Sequence, residues 1–127
     1  MDQTDRIRHA YDEIPYDSFP YRDTHPDRMS VVGALAGLSC APADSCRVLE
    51  LGCASAGNII PMAEALPGSR FVGIDLSPRQ IQQGVDLIAK LGLANIELRA
   101  QSIMDFPADE GSFDYIIAHG LYSWVPS

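Results

Sequence analysis

Two carboxylates and a run of small residues are spaced as a charged-ligand site would need them. Glu50 stands inside the apolar stretch Val48-Leu49-Glu50-Leu51, and Gly52-Cys53-Ala54-Ser55-Ala56-Gly57-Asn58 follows at once. A carboxylate buried without a counterpart is strongly destabilising. Glu50 therefore needs a partner, from a ligand or from the protein. The small side chains after it leave the backbone open to close approach. Asp75 closes a second apolar stretch, Phe71-Val72-Gly73-Ile74. If both stretches are strands of one sheet, both acids fall at the carboxyl ends, where open α/β sheets bind their ligands.

Three ligand classes compete for such a turn. A nucleoside triphosphate loop has two glycines at the spacing of Gly52 and Gly57, followed by a lysine. Here Asn58 and Ile59 follow, and the phosphate-binding lysine is missing. A dinucleotide turn needs a middle glycine so that the pyrophosphate can approach. Ala54 occupies that position, although Asp75 is placed to bind a ribose. A cationic ligand is the third class, and it alone accounts for Glu50, since a carboxylate attracts an ammonium or sulfonium and repels a phosphate. The alternative partner for Glu50 is a structural arginine or local backbone N–H groups.

The elements that must hold these residues alternate in type. Strands are expected over 47–51, 70–74, 95–100 and 113–118. Helices are expected over 58–66, ended by Pro67-Gly68, and over 77–91. In the second of these Ser77 is the cap, Pro78 the first helical residue and Gly92 the stop. Ile81, Val85 and Ile88 should share its buried face. A helix over 26–38 should bury Met29, Val31, Val32 and Leu35. A short helix over 5–11 and the start of another at 121–124 are also expected. Tyr11, Tyr16, Phe19 and Tyr21 alternate with Pro15 and Pro20 in an extended arm. Strands alternating with helices imply a doubly wound parallel sheet.

Taken together, "LELGCASAGN" and the acid in "FVGIDLS" resemble the class I S-adenosylmethionine-dependent methyltransferases. The resemblance runs over residues 47–126 and implies a Rossmann-like fold with S-adenosyl-L-methionine as cofactor. It implies that Glu50, Gly52, Cys53, Ala54, Gly57 and Asn58 hold the methionine portion. Asp75 would accept from the ribose hydroxyls, and Leu76 would pack on adenine. Ser102, with Ile103, stands where many relatives carry an aspartate facing the adenine amino group. His119 falls where cofactor and acceptor meet, as a contact residue or a weak candidate base. A base is needed only for an acceptor that arrives protonated. Ala54 and Ala56 replace glycines often found in the family and should tighten the turn. "YDEIPYDSFPY" and "HGLYSWVP" further resemble bacterial methyltransferases with a downstream regulatory domain, related to bacterial protein-lysine methyltransferases.

The family sheet has seven strands in the order 3-2-1-4-5-7-6. The resemblance therefore implies about four of them here, in the order 3-2-1-4. Residues 1–45 form the arm and a cap helix, and residues 46–127 the cofactor-binding half of the domain. Such a half should show little or no methyl transfer alone, and should dimerise through the edge of its fourth strand or be poorly soluble. The competing class is a non-catalytic remnant that binds a cofactor or nucleotide, or an NAD-binding Rossmann domain.

Composition narrows the partners. The 127 residues carry a formal charge of -8, with 9 Lys and Arg against 17 Asp and Glu. That argues against a nucleic-acid partner, because phosphate backbones are bound chiefly by Lys and Arg. "AHGL" also lacks the Asn/Asp-Pro-Pro-Tyr motif of amino-methylating DNA enzymes. Cys40, Cys46 and Cys53 form no CxxC pair. No metal site is expected, and a reducing, cytoplasmic setting fits. No stretch is long and apolar enough for a membrane span. The acceptor is unassigned, a small molecule or a protein side chain.

Overall fold

The computed structural model describes residues 25–37, 39–106 and 111–118. The aromatic arm, the helix expected over 5–11, His119 and the helix expected from 121 lie outside the described residues. In chain order the elements are α1 (Pro26–Leu35), β1 (Arg47–Leu51), α2 (Ile59–Ala65), β2 (Arg70–Asp75), α3 (Pro78–Leu91), β3 (Ile96–Ala100) and β4 (Tyr115–Ile117). A 3-10 turn, Ile103–Asp105, follows β3. The four strands form one parallel sheet in the order β3-β2-β1-β4, as expected.

Register decides which side chains meet. Val48 lies beside Phe71 and Tyr115, and Glu50 beside Gly73 and Ile117. These residues share one face, and α2 covers it with Ile59, Ile60, Met62 and Ala63 in a single buried cluster. Arg47, Leu49, Val72, Ile74, Glu97, Arg99 and Ile116 alternate onto the other face. There Phe106, after β3, and Phe113, before β4, have ring centroids 6.1 Å apart. The Arg47 guanidinium sits 4.8 Å from the Phe113 ring and that of Arg99 6.0 Å from Phe106. Two arginines thus bracket an aromatic pair that links the edges of the sheet.

Several sequence expectations are corrected. β4 is shorter than 113–118. The Asp114 side chain accepts from Arg47 N at 2.7 Å, which caps the strand start, and Phe113 turns away to the Arg47 guanidinium. α1 stops at Leu35, because Gly37 takes the left-handed conformation with φ 84°. Val31 and Leu35 on it are exposed, at 59% and 85%. Met29 packs against the core, Pro26 and Gly33 are buried, and the side chain of Val32 lies outside the described ones. In α3 the buried residues are Gln80, Ile81 and Gly84, and Val85 is exposed. The reason is close packing. A Cβ on Gly84 would lie 2.8 Å from the Ser55 carbonyl oxygen and 2.5 Å from Leu98 Cδ1, so the helix sits where only glycine fits. The ends of α3 are as expected: Ser77 Oγ accepts from Gln80 N, and Gly92 has φ 66°. No helix among the described residues is long and apolar enough to cross a membrane.

Candidate functional site

At the end of β1 the chain folds back over β2. Gly52 N and Cys53 N both donate to the Ile74 carbonyl, at 2.8 and 3.0 Å. Gly52 has φ 72°, a conformation that favours glycine. Ala54 (φ 53°) and Ala56 (φ 65°) are also left-handed. For an alanine this costs roughly 1–2 kcal/mol per residue. The alanines keep the glycine-type turn at the expense of strain. Ala56 N donates to Cys53 O, and Ile60 N to Ala56 O, so the turn runs directly into α2.

The two carboxylates face this turn from adjacent strands. Asp75 is buried at the end of β2 and accepts from Ala54 N (2.8 Å) and Ser77 N (2.9 Å). It ties the turn to the start of α3. Glu50 is 5% exposed. Its Oε2 accepts from Asn58 Nδ2 at 2.8 Å, and its Oε1 is buried with no hydrogen-bond partner among the described residues. Asn58, at the cap position of α2, makes no side-chain cap bond and serves Glu50 instead. Burial pushes the Glu50 carboxyl up to about 7. The Asn58 amide opposes that rise and the Asp75 charge adds to it. Burial likewise drives the Cys53 thiol well up, with Glu50 and Asp75 adding to the effect.

The third strand joins the site through the backbone, since Gln101 N donates to Asp75 O at 2.9 Å. Ser102 is buried, and its Oγ accepts from Met104 N, capping the 3-10 turn that contains Ile103. Gln101 is a residue the sequence motifs passed over. Its Nε2 is buried without a hydrogen-bond partner among the described residues, beside Ser102 at the strand end. Glu50, Gly52, Cys53, Ala54, Gly57, Asn58, Asp75 and Leu76 therefore gather at the carboxyl ends of β1 and β2, with Ser102 and Ile103 alongside. A cavity of about 410 Å³ lies at the opposite, amino end of the sheet, lined in part by Ala63, Arg70 and Asn95. Asn95 Nδ2 there binds the carbonyls of Ala63, Leu66 and Ser69 and fastens the end of α2. None of the expected site residues lines that cavity. Among the described residues no group of His, Cys, Asp and Glu could hold a metal ion.

The methyltransferase domain family matches residues 42–126. The chain belongs to this family. In this methyltransferase domain the match starts before β1 and runs past β4. An uncharacterized protein of Rickettsia prowazekii (strain Madrid E) is 47% identical over 116 residues, covering 91% of this chain and 21% of its own length. A tRNA (guanine-N(7)-)-methyltransferase of Chloroflexus aggregans is 38% identical over 85 residues, 64% of this chain and 36% of that protein. The structure of PKMT2 from Rickettsia typhi in complex with AdoHcy superposes with a TM-score of 0.83 at 39% identity, covering 89% of this chain and 22% of PKMT2. The methyltransferase domain described here thus spans about a fifth of the first relative and of PKMT2.

Proposed function

We propose that this chain binds S-adenosyl-L-methionine at the carboxyl ends of β1 and β2, as the cofactor-binding part of a methyltransferase. The observation that carries this reading is Glu50: a buried carboxylate with an unpartnered oxygen at the mouth of a small-residue turn. Such a group suits an ammonium and opposes a phosphate. The AdoHcy bound to PKMT2, at 39% identity, supports the same ligand. Glu50 would hold the amino group of the methionine portion. Asp75, a buried carboxylate at the end of β2, would accept from the ribose hydroxyls. Gly52, Cys53, Ala54, Gly57 and Asn58 would let the backbone approach the ligand. Leu76 and Ile103 would flank adenine, with Ser102 at its edge. When bound, the cofactor supplies an electrophilic methyl group on its sulfonium. The contribution of the chain is to bind and orient it, and His119 is retained as a contact candidate. The acceptor class is a small molecule or a protein side chain, and residues 1–45 would serve as an arm beside the cofactor half, 46–127. Three free cysteines support a reducing, cytoplasmic setting.

Titration calorimetry with S-adenosylmethionine and S-adenosylhomocysteine tests the reading. Each charge-assisted hydrogen bond is worth roughly 1.5–3 kcal/mol, so Asp75→Ala weakens binding at least on the order of tenfold. Because Asp75 also accepts from Ala54 N and Ser77 N, the variant is compared at a temperature where melting shows it folded. NAD and ATP should give smaller thermal shifts than either cofactor form. A larger shift with NAD would replace this reading with the dehydrogenase one.

A further inference from the structure

We propose that Glu50 is a neutral acid in the free protein and ionises when an ammonium-bearing ligand enters, so that binding releases a proton. The inference rests on the cofactor reading above and adds to it a linkage between ligand charge and site charge.

The geometry makes the site a poor place for an anion. Glu50 is buried, and its only hydrogen bond among the described residues is the one from Asn58 Nδ2 to Oε2. That single amide donor suits a neutral carboxyl as well as a carboxylate. Oε1 has no donor among the described residues, and an unpaired buried charge costs far more than an unpaired neutral polar atom. The described surroundings supply no positive charge. From β2 the neighbours are Gly73 and the carboxylate of Asp75, from β4 Ile117, from the turn the thiol of Cys53, and from the start of α2 the neutral amide of Asn58. Among the described residues Asp75 and Cys53 are the titratable groups facing it. Burial first, and the Asp75 charge after it, raise the carboxyl to about 7 against the Asn58 amide.

An ammonium at Oε1 reverses each of these effects. It brings three donors and a positive charge, which favours the carboxylate. The reaction balances as neutral Glu50 plus cationic ligand giving the ion pair plus one proton, which passes to the buffer. A ligand without the ammonium has nothing to drive the ionisation.

The test is calorimetry of S-adenosylhomocysteine binding in two buffers of different ionisation heat, between pH 5.5 and 7. In that window the ligand amine, with an ordinary value of about 8, stays protonated. At pH 6.5 the wild-type chain should release roughly three-quarters of a proton, and its affinity should rise on the order of tenfold from pH 5.5 to 7. 5′-Methylthioadenosine, which lacks the amino-acid portion, should bind without release. Glu50→Gln, which keeps an acceptor for Asn58, should bind with no release and with affinity flat across the window. Binding of S-adenosylhomocysteine by the wild-type chain with no proton released overturns the linkage and leaves the cofactor reading standing. Equal release with 5′-methylthioadenosine, or in Glu50→Gln, also overturns it. No binding of either ligand at any pH overturns both.

Discussion

Burial gives Glu50 a carboxyl that titrates near 7 in the folded chain, against an ordinary value of 4.5. Between those values the folded chain holds a proton that the unfolded chain has lost. Stability therefore falls as pH rises through this window, by about 3 kcal/mol in all from this one group. Below about pH 4.5 both states are protonated and the penalty is gone. Glu50→Gln is neutral throughout and should be more stable than the wild type at pH 8, with the advantage vanishing by pH 4.5. Denaturant melts of both proteins at the two pH values measure it. An advantage that is the same at both would mean that Glu50 is not a buried acid with a raised titration. The position of Glu50 and Asp75 at strand ends was legible in the sequence, because apolar runs with a terminal acid mark those places. The Asn58 partner was not, since it depends on how the turn brings Asn58 back over β1.

At the scale of elements, the tightest junction is where α3 meets the turn. Gly84 touches the Ser55 backbone and Leu98, and Ser55 belongs to the turn that carries the candidate site. Gly84→Ala gains roughly 1 kcal/mol of helix propensity. The added methyl collides with a backbone carbonyl, and such overpacking costs typically about 1–3 kcal/mol. The collision should win, lowering the melting temperature and weakening S-adenosylhomocysteine binding as the turn is displaced. Thermal melts with and without that ligand check both effects. A more stable variant would mean that α3 can shift away freely. The existence and type of each described strand and α-helix followed from periodicity and from caps such as Ser77-Pro78 and Gly92, whereas the 3-10 turn Ile103–Asp105 did not. The faces did not all follow. Val85 reads as core by spacing, yet Gly84 takes the inside position, because helix-to-turn distance outweighs side-chain hydrophobicity there. In α1 Val31 likewise reads as core, yet it ends up in solvent.

For the whole molecule, charge is the main lever on partners. The chain carries -8 with a pI near 4.6. Arg47 is occupied by Phe113 and the Ser112 carbonyl, and Arg99 by Glu97 and Phe106. Although one relative is named a tRNA methyltransferase, this chain should not retain tRNA on a filter at about 0.15 M salt, where long-range attraction is screened. Tight tRNA retention at that salt would show a basic surface that the net charge conceals and would reopen the choice of acceptor.

Composition and pattern alone determined the fold class, the strand order by way of the family resemblance, and the acids that head the site. These are legible because secondary-structure period and strand-end position are local properties of the chain. The tertiary structure decided the rest. It put Ala54 and Ala56 into left-handed backbone that their side chains disfavour. It engaged Asp75 with two backbone N–H groups, and it left Glu50 Oε1 and Gln101 Nε2 buried without hydrogen-bond partners among the described residues. Whether a buried polar atom is satisfied depends on groups far apart in sequence arriving within hydrogen-bond distance of it, and only the folded chain brings them together.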